Sequence, residues 1–320
     1  MNRRSSFGPR NKINEPRLLD RRLLESFPLP DHPDDSDKSD RGLCVLVAGS
    51  RELPGPAILA GLGAMRAGAG KVRIATGESI AITLGAAIPE ARVIGFAEGA
   101  DGCIAPDAIA GLVERLRGAN SLTIGPGMQA GAALAILVQA VLNHAGTWPL
   151  ILDAAALGML PTISDRIIEW PGGTILLPHA GEMARLLERD RATVTDDPLG
   201  AAHEAARAFN SIVVIKGEWS FIVSPDGDAF RFRGGGIGLA TSGSGDTLAG
   251  IVGGLTARGA DCLTAALSGV YLHGEAGRRL GGEVGTIGFL AREIPDQVPR
   301  LMDEIRIRAR PSHPSRTGNG

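Results

Sequence analysis

The stretch LCVLVAGSRELPGPAILAGLGAMRAGAGKVRIAT, from Leu43 to Thr76, decides the fold. It begins and ends with short apolar runs rich in β-branched residues, and a segment of helical, Ala/Leu-rich composition lies between them. A polar segment containing Gly and Pro, residues 50–55, separates the first run from the helical segment. The order strand, helix, strand predicts a βαβ unit, whose two strands lie parallel in one sheet.

The same alternation continues outward from this stretch along the chain. Strand-like runs include ARVIGFA, SLTIGPG, PLILDA, TILLPHA and SIVVIKG, separated in part by helical stretches such as AALAILVQAVLNHAG. WSFIVSPDGDAFRFR then reads as two strands joined by a Pro-Asp-Gly turn, which is typical of an antiparallel hairpin. The pattern predicts an α/β fold of three layers: a mostly parallel central sheet, helices on both faces and an antiparallel hairpin at one edge.

Composition and charge narrow the class of protein. The 320 residues are 44% hydrophobic and 21% charged, and they carry a net charge of −2 with only 4% aromatics. This balance argues against nucleic acid and an anionic membrane surface as partners and favours a small molecule. Three scattered cysteines without CxxC spacing predict a reducing cytoplasm and neither a zinc site nor a disulfide framework. No run approaches the roughly 18 apolar residues of a membrane span, and the N-terminus lacks a signal-peptide core.

We expect one folded domain over residues 42–305. Residues 1–41 are charged and Pro-rich and predict a flexible extension, in which LLDRRLLESF is a possible short helix. Residues 306–320 predict a disordered tail.

The segment ATSGSGDTLAG, from Ala240 to Gly250, predicts an anion-binding loop. Small residues precede an apolar helix, whose free N–H groups and positive dipole end favour a phosphate. Asp246 stands in this loop, and by itself it is equally consistent with a helix-capping acid. Capping does not need the small residues in front of the acid, whereas an anion-binding loop does.

Two familiar nucleotide fingerprints are not matched. GLGAMRAG has the wrong spacing for a dinucleotide-binding turn, and GAGKV lacks the upstream glycine and the Ser/Thr of a P-loop. We interpret their glycines as positions of close helix packing and of a helix end: Gly61, Gly63, Gly68 and Gly70.

Several local motifs occur in a specific order: the quoted βαβ stretch, IGPG, LDAAAL, LLPHAGEMARLL, VVIKGEWSFIVSPDG, LATSGSGDTLAGIVGGLTARG and GVYLHGEAG. This series resembles the ADP/ATP-dependent NAD(P)H-hydrate dehydratases, carbohydrate-kinase-like members of the ribokinase-like superfamily. The resemblance covers about residues 38–300 and implies a ribokinase-like fold.

The resemblance also implies roles on the catalytic and nucleotide side. Asp246 matches the acid of the family's Gly-x-Gly-Asp loop, the base beside the substrate hydroxyl. The preceding residues of the loop would form the anion hole: Gly243, Ser244 and Gly245. A second segment matches the lining of the adenine nucleotide: Lys216, Gly217, Glu218, Trp219 and Ser220.

On the substrate side, the resemblance assigns contacts to Asp246, His179, Gly125 and Gly127, together with Pro56 and Ala57. Glu182 matches the acid of a magnesium–water network, although a first-turn helix acid is an equal alternative. His144, His203 and His273 lie in helical stretches, and we interpret them as packing or surface residues.

The chain departs from the family pattern at substrate-side positions. The family's Gly-Ala-Ala appears as Gly55-Pro56-Ala57, its Asp-Ala-Asp appears as Asp153-Ala154-Ala155, and its GPGLG appears as GPGMQ. One carboxylate and one small residue are therefore lost, while the nucleotide and catalytic loops are intact.

The function implied by the resemblance is repair of hydrated NADH or NADPH, a hydro-lyase reaction at the expense of ADP or ATP with Mg²⁺. The partners are then NAD(P)H hydrate and adenine nucleotide, and the family resemblance implies a homo-tetramer. A small-molecule kinase of the same fold, acting on a vitamin precursor or sugar-like alcohol, is the first alternative, and a non-catalytic nucleotide sensor is the second. The intact Asp246 loop argues against the sensor.

Overall fold

The computed structural model of the chain describes residues 15–144 and 146–309, and within them ten strands form one sheet. The strands are β1 (Arg17–Leu18), β2 (Leu43–Val47), β3 (Lys71–Gly77), β4 (Arg92–Phe96), β5 (Ser121–Ile124), β6 (Leu150–Leu152), β7 (Thr174–Leu176), β8 (Ile212–Ile215), β9 (Ser220–Val223) and β10 (Ala229–Phe232). Their order across the sheet is β1-β10-β9-β8-β7-β6-β5-β2-β3-β4.

Seven neighbouring strands, in the order β8-β7-β6-β5-β2-β3-β4, are parallel to one another. Strand β9 pairs antiparallel with both β8 and β10. The hairpin turns at Pro225-Asp226-Gly227, where Gly227 has a φ of +96° and its N–H donates to the Ser224 carbonyl. The predicted α/β fold with a mostly parallel sheet and an antiparallel hairpin is confirmed. One strand, β1, lies outside the hairpin and pairs parallel with β10.

Helices cover both faces because alternate residues of the strands point to opposite sides. On β2, Val45 and Val47 pack into one core cluster, whereas Cys44 and Leu46 pack into another on the opposite face. The helices are α1 (Arg21–Leu24), α2 (Gly55–Arg66), α3 (Glu78–Ala87), α4 (Ile109–Glu114), α5 (Ala132–Asn143), α6 (Ser164–Ile168), α7 (Ala180–Leu186), α8 (Arg191–Asp196), α9 (Pro198–Ala208), α10 (Ser244–Ala257), α11 (Cys262–Glu283) and α12 (Ile294–Ala309). Among the residues that the structure describes, each helix is too short or too polar to cross a bilayer.

Helices α2 and α10 approach each other closely enough for their backbones to touch. A Cβ atom added at Gly250 would lie 2.0 Å from the Ala60 carbonyl oxygen, and one at Gly63 would lie 2.6 Å from the Thr247 carbonyl oxygen. Only glycine fits at such distances. The interpretation of Gly63 as a helix-packing glycine is therefore confirmed, and the contact fixes the position of the α10 N-terminus.

The structure differs from the sequence expectation near both ends of the chain. Residues 1–14 and 310–320 lie outside the described residues, so the expected flexibility there stays a prediction. Residues 17–24 form α1, which lies within the predicted helix LLDRRLLESF, and β1, which was not predicted; Leu19 and Leu24 are buried in the core. Burial of these leucines and the pairing of β1 with β10 hold this segment on the sheet. At the other end, α12 extends to Ala309, past the expected domain limit at residue 305.

The order of the strands reverses between β2 and β5, because the chain adds β3 and β4 on one side and β6 to β8 on the other. In open α/β sheets, ligands bind outside the carboxyl ends of the strands at such a reversal point. Here the two strand ends are tied together, since the Gly49 N–H donates to the Pro126 carbonyl at 2.8 Å. The fold thus indicates where a site should lie.

Candidate active site

The predicted anion-binding loop forms the start of α10. Gly243 has a left-handed φ of +88° and precedes the helix, Ser244 is its first residue, and Asp246 lies in its first turn. The first N–H groups of a helix have no carbonyl partner inside it, so they are available to an anion at the N-terminus. The backbone here has the arrangement that the sequence predicts for a phosphate cradle.

His273, on α11, holds Ser244, the first residue of α10. The His273 Nε2 lies 3.0 Å from both the hydroxyl oxygen and the carbonyl oxygen of Ser244. Burial lowers the pKa of His273 to about 4, which keeps the ring neutral at physiological pH. A neutral ring with a proton on Nε2 would donate to Ser244 and fix its orientation. The sequence interpretation of His273 as a plain packing or surface residue misses this contact.

Lys216 and Asp153 form an ion pair where β8 and β6 end. The Lys216 ammonium lies 2.7 Å from Asp153 Oδ1, and the two side chains are only 20% and 3% exposed. Burial by itself lowers the pKa of Lys216, but the carboxylate of Asp153, with those of Glu182 and Asp246, outweighs burial and raises it. A Cβ atom added at Gly245 would lie 3.2 Å from the ammonium. A fixed positive charge therefore stands beside the anion-binding loop.

Asp246 lies in a negative environment that disfavours its own ionisation. Burial, followed by the charge of Asp153, raises the pKa of Asp246 to about 6, while Lys216 opposes the shift. A carboxylate with a pKa near the working pH is suited to accept a proton in general base catalysis. Perturbed groups of this kind concentrate at functional sites.

His179 and Glu182 begin α7 at the same edge of the sheet. His179 Nδ1 accepts the N–H groups of Gly181 and Glu182, and a Glu182 oxygen accepts the His179 N–H at 2.8 Å. The two residues thus form a capping box that links their side chains to the first turn. His179 pairs with Lys216 as an isolated parallel bridge, and its side chain is 55% exposed. The same residue lines a groove of about 890 Å³ that runs along α7 and α8.

The predicted substrate loop meets the start of α2. Gly125 follows β5 with a φ of +125°, and a Cβ atom there would lie 1.8 Å from the Asp153 carbonyl oxygen. A Cβ atom at Gly127 would lie 2.9 Å from Pro56 Cβ. The structure therefore brings Gly125, Gly127 and Pro56 together at the reversal point. Ala57 is fully buried behind them, so its side chain is not exposed to the cleft.

The predicted nucleotide segment leads from Lys216 into the hairpin. Glu218 pairs with Arg233 at 2.9 Å on the surface, away from the Lys216 ion pair. The Trp219 ring lies within cation–π distance of two guanidinium groups, with Arg231 at 5.3 Å and Arg233 at 5.6 Å from its centroid. Trp219 presents a partly exposed aromatic surface next to the charged end of β8.

The donor set fits a nucleotide with its magnesium ion. The loop at Gly243–Gly245 offers N–H groups and Lys216 offers a cation for phosphate, while Asp153, Glu182 and Asp246 are carboxylates close enough to affect one another or Lys216. Over residues 15–144 and 146–309, no group of three His, Cys, Asp or Glu side chains is placed to bind a metal by itself. Mg²⁺ commonly keeps several waters and binds through one or two carboxylates plus the phosphates of a substrate.

The sequence located the loop, Lys216, His179 and the substrate loop, and the structure places all of them at one edge of the sheet. The sequence did not single out Asp153 or His273 as members of the site. Asp153 was visible only as the remaining carboxylate of an altered motif, directly after a buried strand. His273 gave no signal, because its partner Ser244 lies 29 residues away on another helix.

Comparison with known proteins shows which family the chain belongs to. The family model described as NAD(P)H-hydrate dehydratase matches residues 44–300. An ADP-dependent (S)-NAD(P)H-hydrate dehydratase of Xanthomonas campestris is 44% identical over 283 residues, which cover 88% of this chain and 94% of that one. A bifunctional NAD(P)H-hydrate repair enzyme of Moorella thermoacetica is 33% identical over 94% of this chain, which spans 57% of that enzyme.

A solved structure has the same fold. The ADP/ATP-dependent NAD(P)H-hydrate dehydratase of Bacillus subtilis, co-crystallized with ATP and Mg²⁺, superposes with a TM-score of 0.79 at 30% sequence identity. The match covers 91% of this chain and 99% of that one. A ribokinase-like superfamily protein of Enterococcus faecalis superposes with a TM-score of 0.78 at 26% identity, over 93% of this chain and 99% of that one. The fold is therefore ribokinase-like, and the resemblance seen in the sequence motifs is confirmed. The chain belongs to the NAD(P)H-hydrate dehydratase family.

Proposed function

We propose that this protein restores NADH or NADPH from (S)-NAD(P)H hydrate at the expense of ADP or ATP, with Asp246 as the general base. Family membership supports the reaction. The observation that carries the assignment of the base is the environment of Asp246. Asp246 is a carboxylate with a pKa of about 6, and it lies in the first turn of α10, whose N-terminus forms the anion-binding loop.

The first step is transfer of a phosphoryl group to the substrate. Asp246 takes the proton of the C6 hydroxyl, the oxygen bonds to the terminal phosphorus of the nucleotide, and the bond to the leaving phosphate oxygen breaks. The N–H groups of the loop and the Lys216 ammonium stabilise the negative charge of the transferred group, which is the main task of the protein in phosphoryl transfer. Bound Mg²⁺ would add charge neutralisation on the phosphate oxygens.

The second step is elimination of the phosphate from the substrate ring. The lone pair of the ring nitrogen expels the phosphate ester oxygen with its bonding electrons, and transfer of a proton from the adjacent carbon to water or to the departing phosphate restores the dihydropyridine. The driving force comes from the substrate, so the protein needs only to hold the leaving phosphate in the loop. No oxidant or reductant is required.

Asp153 acts in this scheme as a positioning residue. Its carboxylate fixes the Lys216 ammonium beside Gly245, and its backbone carbonyl packs against Gly125 of the substrate loop. The following residue, Ala154, has a φ of +50°, a left-handed conformation that is costly for a residue other than glycine. Asp153 therefore connects the nucleotide side of the site with the substrate side.

The experiment that tests the reaction uses the purified chain with NADH hydrate, Mg²⁺ and either ADP or ATP. Recovery of the near-ultraviolet absorbance of the dihydropyridine, together with release of inorganic phosphate, supports the proposal. Accumulation of a stable phosphate ester on another alcohol, with no recovery from NADH hydrate, supports the small-molecule kinase instead. Pro56 at the substrate loop is the feature that favours this second candidate, because it replaces a small residue beside Gly127.

The oligomeric state and the location of the protein also belong to the proposal. The family resemblance supports a homo-tetramer, which light scattering on the purified chain would test. The three cysteines, Cys44, Cys103 and Cys262, form no disulfide, which supports a reducing cytoplasm.

A further inference from the structure

A second concentration of charge lies at the opposite, amino-terminal edge of the sheet, where β2 and β3 begin. A cavity of about 530 Å³ is lined there by five cationic side chains and one carboxylate, Glu90. The cations come from four separate segments of the chain: Lys38, Lys71, Arg73, Arg92 and Arg117. The whole chain has a net charge of −2, so this excess of positive charge is local. The volume lies in the range of small-molecule sites.

In the part of the chain that the structure describes, carboxylates do not neutralise these cations by ion pairing. Within residues 15–144 and 146–309, none of the five forms an ion pair. Asp37 lies near Lys71, but its Oδ1 already accepts backbone N–H groups from Ser39 and Asp40. Five cations that converge beside a single lining carboxylate, Glu90, repel one another, and an anion in the cavity would reduce that repulsion.

The walls of the cavity are fixed by the backbone. The Gly70 and Lys71 N–H groups donate to the carbonyls of Arg41 and Gly42, each at 3.0 Å. A Cβ atom at Gly70 would lie 1.8 Å from the Lys38 carbonyl oxygen, so only glycine permits this contact. The Lys71 ammonium donates to the Ser39 hydroxyl at 2.8 Å. The GAGKV motif, which is no P-loop, therefore serves to place Lys71 at the cavity.

Arg73 contributes a partly buried guanidinium to the cavity. One of its terminal nitrogens donates to the Arg115 carbonyl, whereas its Nε is buried and has no hydrogen-bond partner. Burial, followed by the charges of Arg92 and Arg115, lowers the pKa of Arg73. This Nε has almost no accessible surface, so an anion in the cavity would act on Arg73 through the charge of its guanidinium, which no described carboxylate pairs with.

We propose that this amino-terminal cavity is a second anion site that binds a di- or polyphosphate group, free or as part of a nucleotide. Five cations against one carboxylate match the charge of a diphosphate better than that of a single phosphate. The site is separate from the loop at α10, which lies at the other edge of the sheet, and it does not depend on the proposed reaction.

Inorganic pyrophosphate is the probe, with inorganic phosphate and ADP as comparison ligands. Because the α10 loop also attracts phosphate, binding is followed through the backbone ¹⁵N shifts of Gly70 and Gly118, both at the cavity. The test variant is Arg73→Gln/Arg92→Gln. Arg166→Gln/Arg300→Gln removes the same charge from exposed positions outside the cavity and is the matched control. Thermal unfolding verifies that each variant folds.

We expect saturable shifts in the wild type, about tenfold weaker pyrophosphate binding in the test variant and unchanged binding in the control. Glu90→Gln should bind pyrophosphate more tightly, because it removes the only carboxylate of the lining, and a loss of folding cannot produce that result. Tighter binding of ADP than of pyrophosphate would identify a nucleotide as the ligand, and the reverse a free diphosphate. Equal weakening in test and control variants, or shifts that never saturate, would overturn the proposal.

Discussion

The Lys216 ammonium and the Asp153 carboxylate, 63 residues apart in the chain, lie 2.7 Å from each other at the carboxyl edge of the sheet. The pair joins the end of β8 to the end of β6 and stands beside the N-terminus of α10. Because Asp153 also raises the pKa of Asp246, this one carboxylate sets the electrostatics of both the phosphate-binding and the proton-accepting groups.

Asp153→Asn should shift the pH dependence of turnover. Removing the negative neighbour lowers the pKa of Asp246 from about 6, so the acid limb of kcat/KM should move to lower pH while the maximal rate falls. A pH–rate profile with saturating Mg²⁺ measures this. Asp226→Asn, at the exposed hairpin turn, is the control. A profile with reduced height but an unmoved acid limb would show that Asp153 is only structural.

Asp246→Asn should make the protein more stable at neutral pH. Because the folded-state pKa of about 6 lies above the ordinary aspartate pKa of 3.8, ionisation of Asp246 opposes folding once the pH exceeds 3.8. The penalty is fully present above about pH 6 and disappears as the pH falls below about 4. We expect the asparagine variant to gain up to about 3 kcal/mol at pH 7.5, measured by urea unfolding. A gain that is equally large at pH 3.5 would argue against this origin.

The sequence predicted most of the fold because buried parallel strands read as short apolar runs, and the Pro225-Asp226-Gly227 turn identified the hairpin. It predicted a possible helix at LLDRRLLESF, where α1 lies, but not that Arg17–Leu18 join the sheet, since a short amphipathic segment does not reveal whether its leucines find a partner. In the site, the Gly243–Asp246 loop is local in sequence and was predictable. The contacts of Lys216 with Asp153 and of Ser244 with His273 depend on the order of strands and helices in space, which no local pattern encodes.

His273→Ala should loosen the anion-binding loop. Ser244 loses its partner on α11, so we expect the KM for the nucleotide to rise by about fivefold to tenfold, as the loss of about 1 kcal/mol predicts. His273→Gln, which can still donate to Ser244, should recover part of the affinity. Steady-state kinetics at varied nucleotide concentration measures both. If alanine and glutamine behave alike and like the wild type, the contact has no role in holding the loop.

Gly250→Ala should disrupt the packing of α10 on α2. Its Cβ would lie 2.0 Å from a backbone oxygen of Ala60, so the helices must move apart at a cost of about 3 kcal/mol. Gly281→Ala is the matched control, because that position is helical with open space around it, and it should gain up to about 1 kcal/mol. Chemical denaturation measures both. Equal stability of the two variants would contradict the close helix contact.

The central claim, that Asp246 is the base of a nucleotide-dependent dehydration, is tested most directly by the Asp246→Asn variant with NADH hydrate, Mg²⁺ and ADP or ATP. The loop N–H groups and Lys216 remain, so nucleotide affinity should stay within about threefold of the wild type by calorimetry, while loss of a general base lowers the rate by about 10²–10⁴. Recovery of dihydropyridine absorbance by the variant at the wild-type rate would contradict the claim.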